Sequence, residues 1–179
     1  LAPENFGPQV QPDYASFVQR SVQRLSELGR RRIAVIDQPN KGDRFVGPIQ
    51  EAGLEIRHCW RLSYPTVPDC GALVPITELL FDGARTCRPD GLILADENHV
   101  EQVLLGLSMA GMRVGEDVDI VAQCSYPLAK PQAMPIHWLG FDARKMLRKA
   151  VDFLESPPET RDGPACVYLP AEFEDELAS

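Results

Sequence analysis

Short apolar segments alternate with segments of helical periodicity between Ile33 and Ala122, and this alternation determines which folds are open to the chain. The predicted strands in this region cover residues 33–36, 54–60, 92–95 and 118–122. Continuous apolar runs such as IAVI and LILA are typical of strands buried on both faces of a sheet. Strands separated by helices connect in parallel. The sequence therefore predicts a doubly wound parallel α/β sheet with helices on both faces, a Rossmann-like three-layer αβα fold.

The helical segments are recognised by their apolar spacing and by their ends. Asp13 can cap a first helix that runs to Leu28, with Gly29 after it. Further helices are predicted at 44–52, 73–84 and 97–110, and from Asp142 to residue 154, with a short strand at 165–169 and a solvated acidic end at 172–176. The side chains expected to face inward from the helix at 73–84 are Ile76, Leu79 and Leu80. Those expected to share one face of the last helix are Leu147, Ala150, Val151 and Leu154.

Size and charge narrow the possible functions. The 179 residues are enough for one domain or slightly more. A net charge of −8 argues against nucleic-acid binding by this chain alone, because duplex binding depends on a basic surface. The Arg30–Arg32 cluster is interpreted as a solvated helix end. No apolar run approaches about 18 residues, so no membrane-spanning segment is predicted. The N-terminus has no secretory-signal pattern and does not begin with Met, so we expect a trimmed piece of a longer chain.

The cysteines indicate a reducing compartment. Their spacing is irregular, and the sequence contains no CxxC pair. The histidines are scattered as well. This pattern favours free thiols in the cytoplasm over a zinc site. Neither a GxGxxG loop nor a phosphate-binding GxxxxGK loop occurs, so we expect no metal and no cofactor.

Ligands of open parallel sheets bind outside the carboxyl ends of the strands, and this rule selects the candidate site. The groups at or after the four predicted strand ends are Asn40, Asp43, Arg44, Trp60, Asp96, Glu97, Asn98, Gln123, Cys124 and Ser125. A guanidinium, carboxylates, amides and an indole suit a polar, polyhydroxylated small molecule. Alternatives remain at this stage, since Trp60 fits a core position equally well and Arg44 fits a surface position. Asp96 and Glu97 could form an acid/base or metal pair, although neighbouring side chains at a strand end usually point apart.

Three stretches carry a more specific signal. The first is LSELGRRRIAVI at residues 25–36, followed by RFVG at 44–47. The second is PDGLILADEN at 89–98, continued by GLSMAGMRVGEDVDIVA at 106–122. The third is the helix at 142–154, followed by YLP at 168–170. In this order and spacing they resemble the effector-binding domain of the lactose-repressor (LacI/GalR) family of bacterial transcription regulators, which shares its fold with type I periplasmic sugar-binding proteins.

The resemblance implies two subdomains with an effector in the cleft between them. It assigns residues 1–28 to a lead-in and a helix of the N-terminal subdomain, and residues 29–123 to the C-terminal subdomain. Residues 124–179 become a crossing segment, a helix and a strand of the N-terminal subdomain, and an acidic tail. DNA contact would belong to a head domain outside this chain. The resemblance also implies a homodimer, with contacts from the helix at 97–110 and from the segment after Ala122.

Site residues carry over position by position. Asp13 matches a cleft carboxylate, Arg44 matches the arginine that commonly holds the effector, and Trp60 falls where some members place a stacking aromatic. Asp96 stands where the family most often has Asn, and Cys124 stands where it has an effector-binding Asp. We hypothesise that Asp96 replaces the carboxylate lost at Cys124. The candidate effector-binding residues are Asp13, Asn40, Arg44, Trp60, Asp96 and Cys124.

The leading functional hypothesis is the effector-binding and dimerisation domain of a LacI-type regulator, cytoplasmic, with a sugar-like effector. The alternative is a solute-binding protein of the same fold that delivers such a ligand to a transporter. An enzyme on a doubly wound sheet is the third hypothesis. It is disfavoured because the sequence has no recognisable catalytic constellation or cofactor loop.

Overall fold

The computed structural model describes residues 9–39, 41, 43–64, 71–82, 87–127, 134–155 and 166–177. The strands are β1 (Gln9–Asp13), β2 (Ile33–Asp37), β3 (Arg61–Ser63), β4 (Gly91–Leu94), β5 (Asp119–Tyr126), β6 (His137–Asp142), β7 (Cys166–Pro170) and β8 (Glu172–Phe173). The helices are α1 (Tyr14–Glu27), α2 (Val46–Glu51), α3 (Leu73–Phe81), α4 (Val100–Met109), α5 (Ala143–Glu155) and α6 (Glu174–Leu177).

These strands form two sheets within the described residues. The main sheet has the order β3-β2-β4-β5-β6-β8, and the small sheet pairs β1 with β7. All neighbours in the main sheet run parallel except β8, which is antiparallel to β6. Every residue of β2 and β4 is buried, as their continuous apolar sequences predict. The predicted parallel α/β sheet is thus confirmed.

Alternate residues of β2 supply two separate cores. Ala34 and Ile36 point into a cluster that includes residues of α3 and α4. Ile33 and Val35 point into the opposite cluster, which includes residues of α1 and α2. Because each face of the main sheet is covered by its own pair of helices, the molecule has the predicted three layers.

Helix α1 begins and ends close to the predicted residues. The Asp13 carboxylate accepts hydrogen bonds from the backbone N–H of Ala15 at 3.0 Å and of Ser16 at 3.1 Å, so it caps the helix. Gly29 follows the helix at a φ of +78°. The buried face of α1 packs on the main sheet, in the core cluster that also contains residues of α2. The resemblance assigned residues 1–28 to the N-terminal subdomain; α1 packs on the main sheet, and the division into subdomains stays a prediction.

The predicted bounds of the second strand and the predicted inward position of Leu79 in α3 are wrong, whereas Leu80 packs against the core as expected. The second strand was expected at residues 54–60, but β3 is Arg61–Ser63. Glu55 forms only an isolated bridge with Arg32, and a 3-10 turn at His58–Trp60 then reorients the chain. In α3 the buried residues are Leu73, Thr77 and Phe81, whereas Leu79, expected to face inward, is exposed.

The sequence analysis predicted no strand at β6, and β8 lies in the segment expected to be a solvated acidic end. The tail residues 174–176 are exposed, as predicted, but they are anchored to α1. Arg20 pairs with Glu176, and Arg24 pairs with Asp175 at 3.4 Å. The Arg24 guanidinium carbon lies 3.9 Å from the centre of the buried Phe173 ring. These contacts join α1 to β8 and to the residues that follow it.

The small sheet and α5 form the less buried part of the described chain. The helix predicted from Asp142 is present, and its first turn is capped by that carboxylate, which accepts from the Arg144 N–H at 2.8 Å. None of the α5 residues is buried. Leu147, Val151 and Leu154, predicted to share one face, are all exposed.

Candidate functional site

An ion pair between Arg44 and Asp37 lies at the carboxyl edge of the main sheet, where its parallel strands end. Asp37 is the last residue of β2, and Arg44 precedes α2. Arg44 Nε donates to Asp37 Oδ2 at 2.9 Å, and Nη2 donates to Oδ1 at 2.7 Å. The Arg44 side chain is 22% exposed and that of Asp37 is 9% exposed. A bidentate pair of this kind fixes the orientation of the guanidinium plane.

A second carboxylate extends this arrangement across the sheet. Asp96 follows β4, and its Oδ2 accepts from the Gln38 amide at 3.1 Å. Its Oδ1 accepts from the Asn98 backbone N–H at 3.0 Å and from the Asn98 amide at 2.8 Å. The Asp37 carboxylate also accepts from the Gln38 N–H at 2.8 Å. We call Asp37, Gln38, Arg44, Asp96 and Asn98 the edge network.

Tyr14 supplies the accessible aromatic ring beside the edge network. The Arg44 guanidinium carbon lies 5.2 Å from the centre of this ring. The ring also contacts Phe141 of β6 edge to face, with centroids 5.3 Å apart. Tyr14 is 42% exposed, so it offers surface on which a sugar ring could stack. Asp13, a predicted site residue, precedes it and is engaged in capping α1.

The adjacent carboxylates Asp96 and Glu97 bind different partners. Glu97 Oε2 accepts from the Ser125 backbone N–H at 3.2 Å, which ties the end of β4 to β5. Asp96 is directed instead to Gln38 beyond β2 and to Asn98. The acid/base or metal pair considered from the sequence is therefore not formed by these two side chains. Among the described residues, no group of three or more His, Cys, Asp or Glu side chains could hold a metal ion.

Two of the predicted effector-binding residues lie in the core. Trp60 is 3% exposed and packs in the cluster on the α3 and α4 side, with the Arg57 guanidinium over its ring. Cys124 is fully buried because β5 continues past Ala122 to Tyr126 and is covered by β6. Both side chains are buried in this structure, whereas the sequence predicted that they contact an effector, and that role stays a prediction. Asn40 lies outside the described residues.

A pocket of about 270 Å³ opens beside Asp37, on the α2 side of the edge strand β3. Its polar lining includes Asp43, His58, Arg61 and Ser63. Arg61 is paired with Asp43. The pocket therefore continues the polar surface of the edge network toward the side of the sheet.

Sequence reasoning did not select Asp37, Gln38 or Tyr14 as site residues. Asp37 and Gln38 directly follow the apolar run of β2, so the strand-end rule that selected Arg44 also applies to them. Tyr14 follows the capping residue of α1, and no local pattern shows that α1 begins at the carboxyl edge of the main sheet. None of the described helices has the length and apolarity needed to cross a bilayer.

Comparisons with known proteins agree with this architecture. A search of the curated proteins finds no match to the sequence. The structure is similar to a LacI-family regulatory protein from Chloroflexus aggregans, with a TM-score of 0.79 and 19% identity over 96% of this chain and 63% of that chain. It is also similar to a LacI-family transcriptional regulator from Arthrobacter sp. FB24 in complex with lactose, with a TM-score of 0.75 and 18% identity over 96% of this chain and 67% of that one.

A LacI-family transcriptional regulator from Mycobacterium smegmatis has a TM-score of 0.70 and 18% identity over 94% of this chain and 64% of its own. The chain thus spans less than two thirds of the Chloroflexus and Mycobacterium proteins. At these identities the likeness establishes the fold. The sequence itself matches the family model of the periplasmic binding protein-like domain over residues 22–172, most of its length, and the chain therefore belongs to that family.

Proposed function

We propose that this chain is the effector-binding part of a LacI-type transcription regulator and that it binds a small, sugar-like molecule at the edge network. The observation that carries the proposal is the fixed guanidinium of Arg44 beside the exposed ring of Tyr14. Both lie at the carboxyl edge of a parallel sheet, where folds of this kind bind ligands. Oriented N–H donors next to an aromatic face suit the hydroxyls and the apolar face of a sugar ring.

The lactose complex of the Arthrobacter regulator supports a sugar-like ligand, since the two chains share the fold. The effector would shift the regulator between two conformations by binding one more tightly than the other. DNA contact would come from a head domain outside this chain. The role proposed here is binding without turnover, in the cytoplasm.

The proposal also assigns the small sheet and α5 to a second subdomain. These elements bury little of their surface, and the Chloroflexus and Mycobacterium relatives are longer than this chain. The exposed apolar face of α5 would pack against the remainder of that subdomain in the whole protein. The effector would then lie between the edge network and that subdomain.

The test is a thermal-shift screen of the full-length protein with pentoses and hexoses. The increase in melting temperature is compared between the native protein and the Arg44→Ala variant. A ligand that binds the folded state raises the melting temperature. We expect one or more sugars to do so, and Arg44→Ala to weaken binding by about tenfold or more through lost charge-assisted hydrogen bonds. The matched control is Arg113→Ala, since Arg113 also forms a bidentate pair, with Asp117, before β5. Equal affinity of both variants would exclude the edge network as the site.

The alternative is a solute-binding protein that delivers a sugar-like ligand to a transporter. The matched family model supports this alternative, because it describes a periplasmic binding protein-like domain. The gene sequence upstream of residue 1 distinguishes the two functions. A helix-turn-helix domain there supports the regulator, and a secretory signal supports the binding protein.

A further inference from the structure

The carboxylate of Asp37 neutralises the guanidinium of Arg44. Both oxygens of Asp37 accept from Arg44, at 2.9 Å and 2.7 Å. The Asp37 side chain is nearly buried, so solvent screens this pair little. A carboxylate or phosphate of a ligand would therefore meet a cation whose charge is already compensated and whose bidentate face is already occupied.

Arg44 nevertheless retains hydrogen-bonding capacity. A guanidinium carries five N–H donors, and Asp37 takes the one on Nε and one on Nη2. No acceptor among the described residues takes the others. These donors suit neutral acceptors such as hydroxyl oxygens, for which charge compensation is no disadvantage.

Charge compensation of a cation recurs next to the edge network. On the neighbouring strand, the guanidinium of Arg61 is likewise paired, with Asp43. An anionic ligand would therefore meet compensated cations at both Arg44 and Arg61.

We propose that Asp37 is a specificity-determining residue, which makes the site select neutral polyhydroxylated ligands over carboxylated or phosphorylated ones. Asp37 acts through Arg44, by occupying its bidentate face and compensating its charge. The inference deepens the proposed function and rests on it, since it requires that the ligand bind at the edge network. It concerns the charge of the ligand, which the fold does not determine.

The test compares the affinities of neutral hexoses and of the corresponding uronic acids for the full-length protein. Glucose, galactose and mannose are each paired with their uronate, and binding is measured by isothermal titration calorimetry. We expect a hexose to bind the native protein about tenfold or more tightly than its uronate. In Asp37→Asn the ratio of the two affinities should move toward the uronate by about tenfold or more, because Arg44 regains its charge and its bidentate face.

The ratio separates specificity from a structural role, since loosening of the site would weaken both members of a pair together. The matched control is Asp117→Asn, which removes the carboxylate of the Arg113 pair and should leave the ratio unchanged. The ratio in the native protein tests the preference for neutral ligands, and its change in Asp37→Asn tests the role of Asp37. A uronate that binds the native protein more tightly than its hexose overturns this inference and leaves the proposed function standing. If no hexose and no uronate binds, the sugar-binding proposal fails, and this inference fails with it.

Discussion

The thiol of Cys124 lies in the core beneath the carboxyl edge, and burial changes its chemistry. Desolvation of the thiolate raises the pKa of Cys124 from an ordinary 9.0 to about 12. Because the folded state holds the proton more strongly than the unfolded state, this group stabilises the fold fully below the unfolded pKa. That contribution is lost as the pH rises through the folded pKa. At mildly alkaline pH the sulfur is therefore both inaccessible and protonated.

We expect iodoacetamide at mildly alkaline pH to alkylate Cys59 in the native protein and to leave Cys124 unmodified. Cys59 is exposed and Cys124 is buried, and the thiolate is the reactive species. Peptide mass spectrometry after brief labelling measures the two sites separately. The denatured protein is the control, since both cysteines should react there. Equal labelling of the two sites in the native protein would contradict the burial of Cys124.

Single residues were predictable where their roles depend on near neighbours in the chain. Asp13 caps α1 through N–H groups two and three residues away, so its position before a helical pattern was sufficient. Arg44 was found from the strand-end rule and from the resemblance. Trp60 depends on long-range packing, because a 3-10 turn moves it into the core. Asp37 satisfies the strand-end rule, but the rule does not show that its carboxylate pairs with Arg44.

At the scale of elements, β2, β4 and α1 follow from local patterns, whereas β6 and β8 do not. β6 has the sequence HWLGFD, in which a glycine and polar ends interrupt the apolar pattern. β8 has only two residues, and it is held by contacts of Phe173 and the acidic end with α1. Strand formation in these two segments depends on the partner strand more than on intrinsic propensity, which is why the sequence alone predicted neither strand.

The close approach of β5 and β6 depends on Gly140. A Cβ added there would lie 1.9 Å from the Cys124 carbonyl oxygen, so the backbone would have to shift. We expect Gly140→Ala to lower the free energy of unfolding by about 1–3 kcal/mol or more. Chemical denaturation measures this change.

Gly47→Ala is the matched control for this substitution. Gly47 lies in α2, and a Cβ there would meet nothing within 4 Å. Alanine is the better helix former, so this variant should be as stable as the native protein or slightly more stable, by up to about 1 kcal/mol. A Gly140→Ala variant as stable as Gly47→Ala would mean that β6 does not pair closely with β5.

At the scale of the whole molecule, exposed apolar residues lie on more than one surface. One is the outer face of α5, assigned above to the second subdomain. The other lies on α3 and α4, where Leu79 is 58% exposed, Leu105 54% and Met109 56%. Leu79 and Met109 line the same surface groove, and Leu105 lies one helical turn from Met109. These residues therefore form one continuous apolar surface, which we call the α3–α4 face.

The homodimer that the family resemblance implies would, if it uses a two-fold interface, bury the α3–α4 face against the same face of a second copy. We expect the full-length protein to sediment as a dimer and Leu105→Glu to weaken the dimer by about tenfold or more, because a carboxylate would be buried without a partner. Leu28→Glu is the matched control, since Leu28 is an exposed leucine at the end of α1, in the opposite helical layer. Sedimentation velocity over a range of concentrations measures both variants. A Leu105→Glu protein that remains as dimeric as Leu28→Glu would place the interface elsewhere, and the α3–α4 face would then contact something other than a second copy.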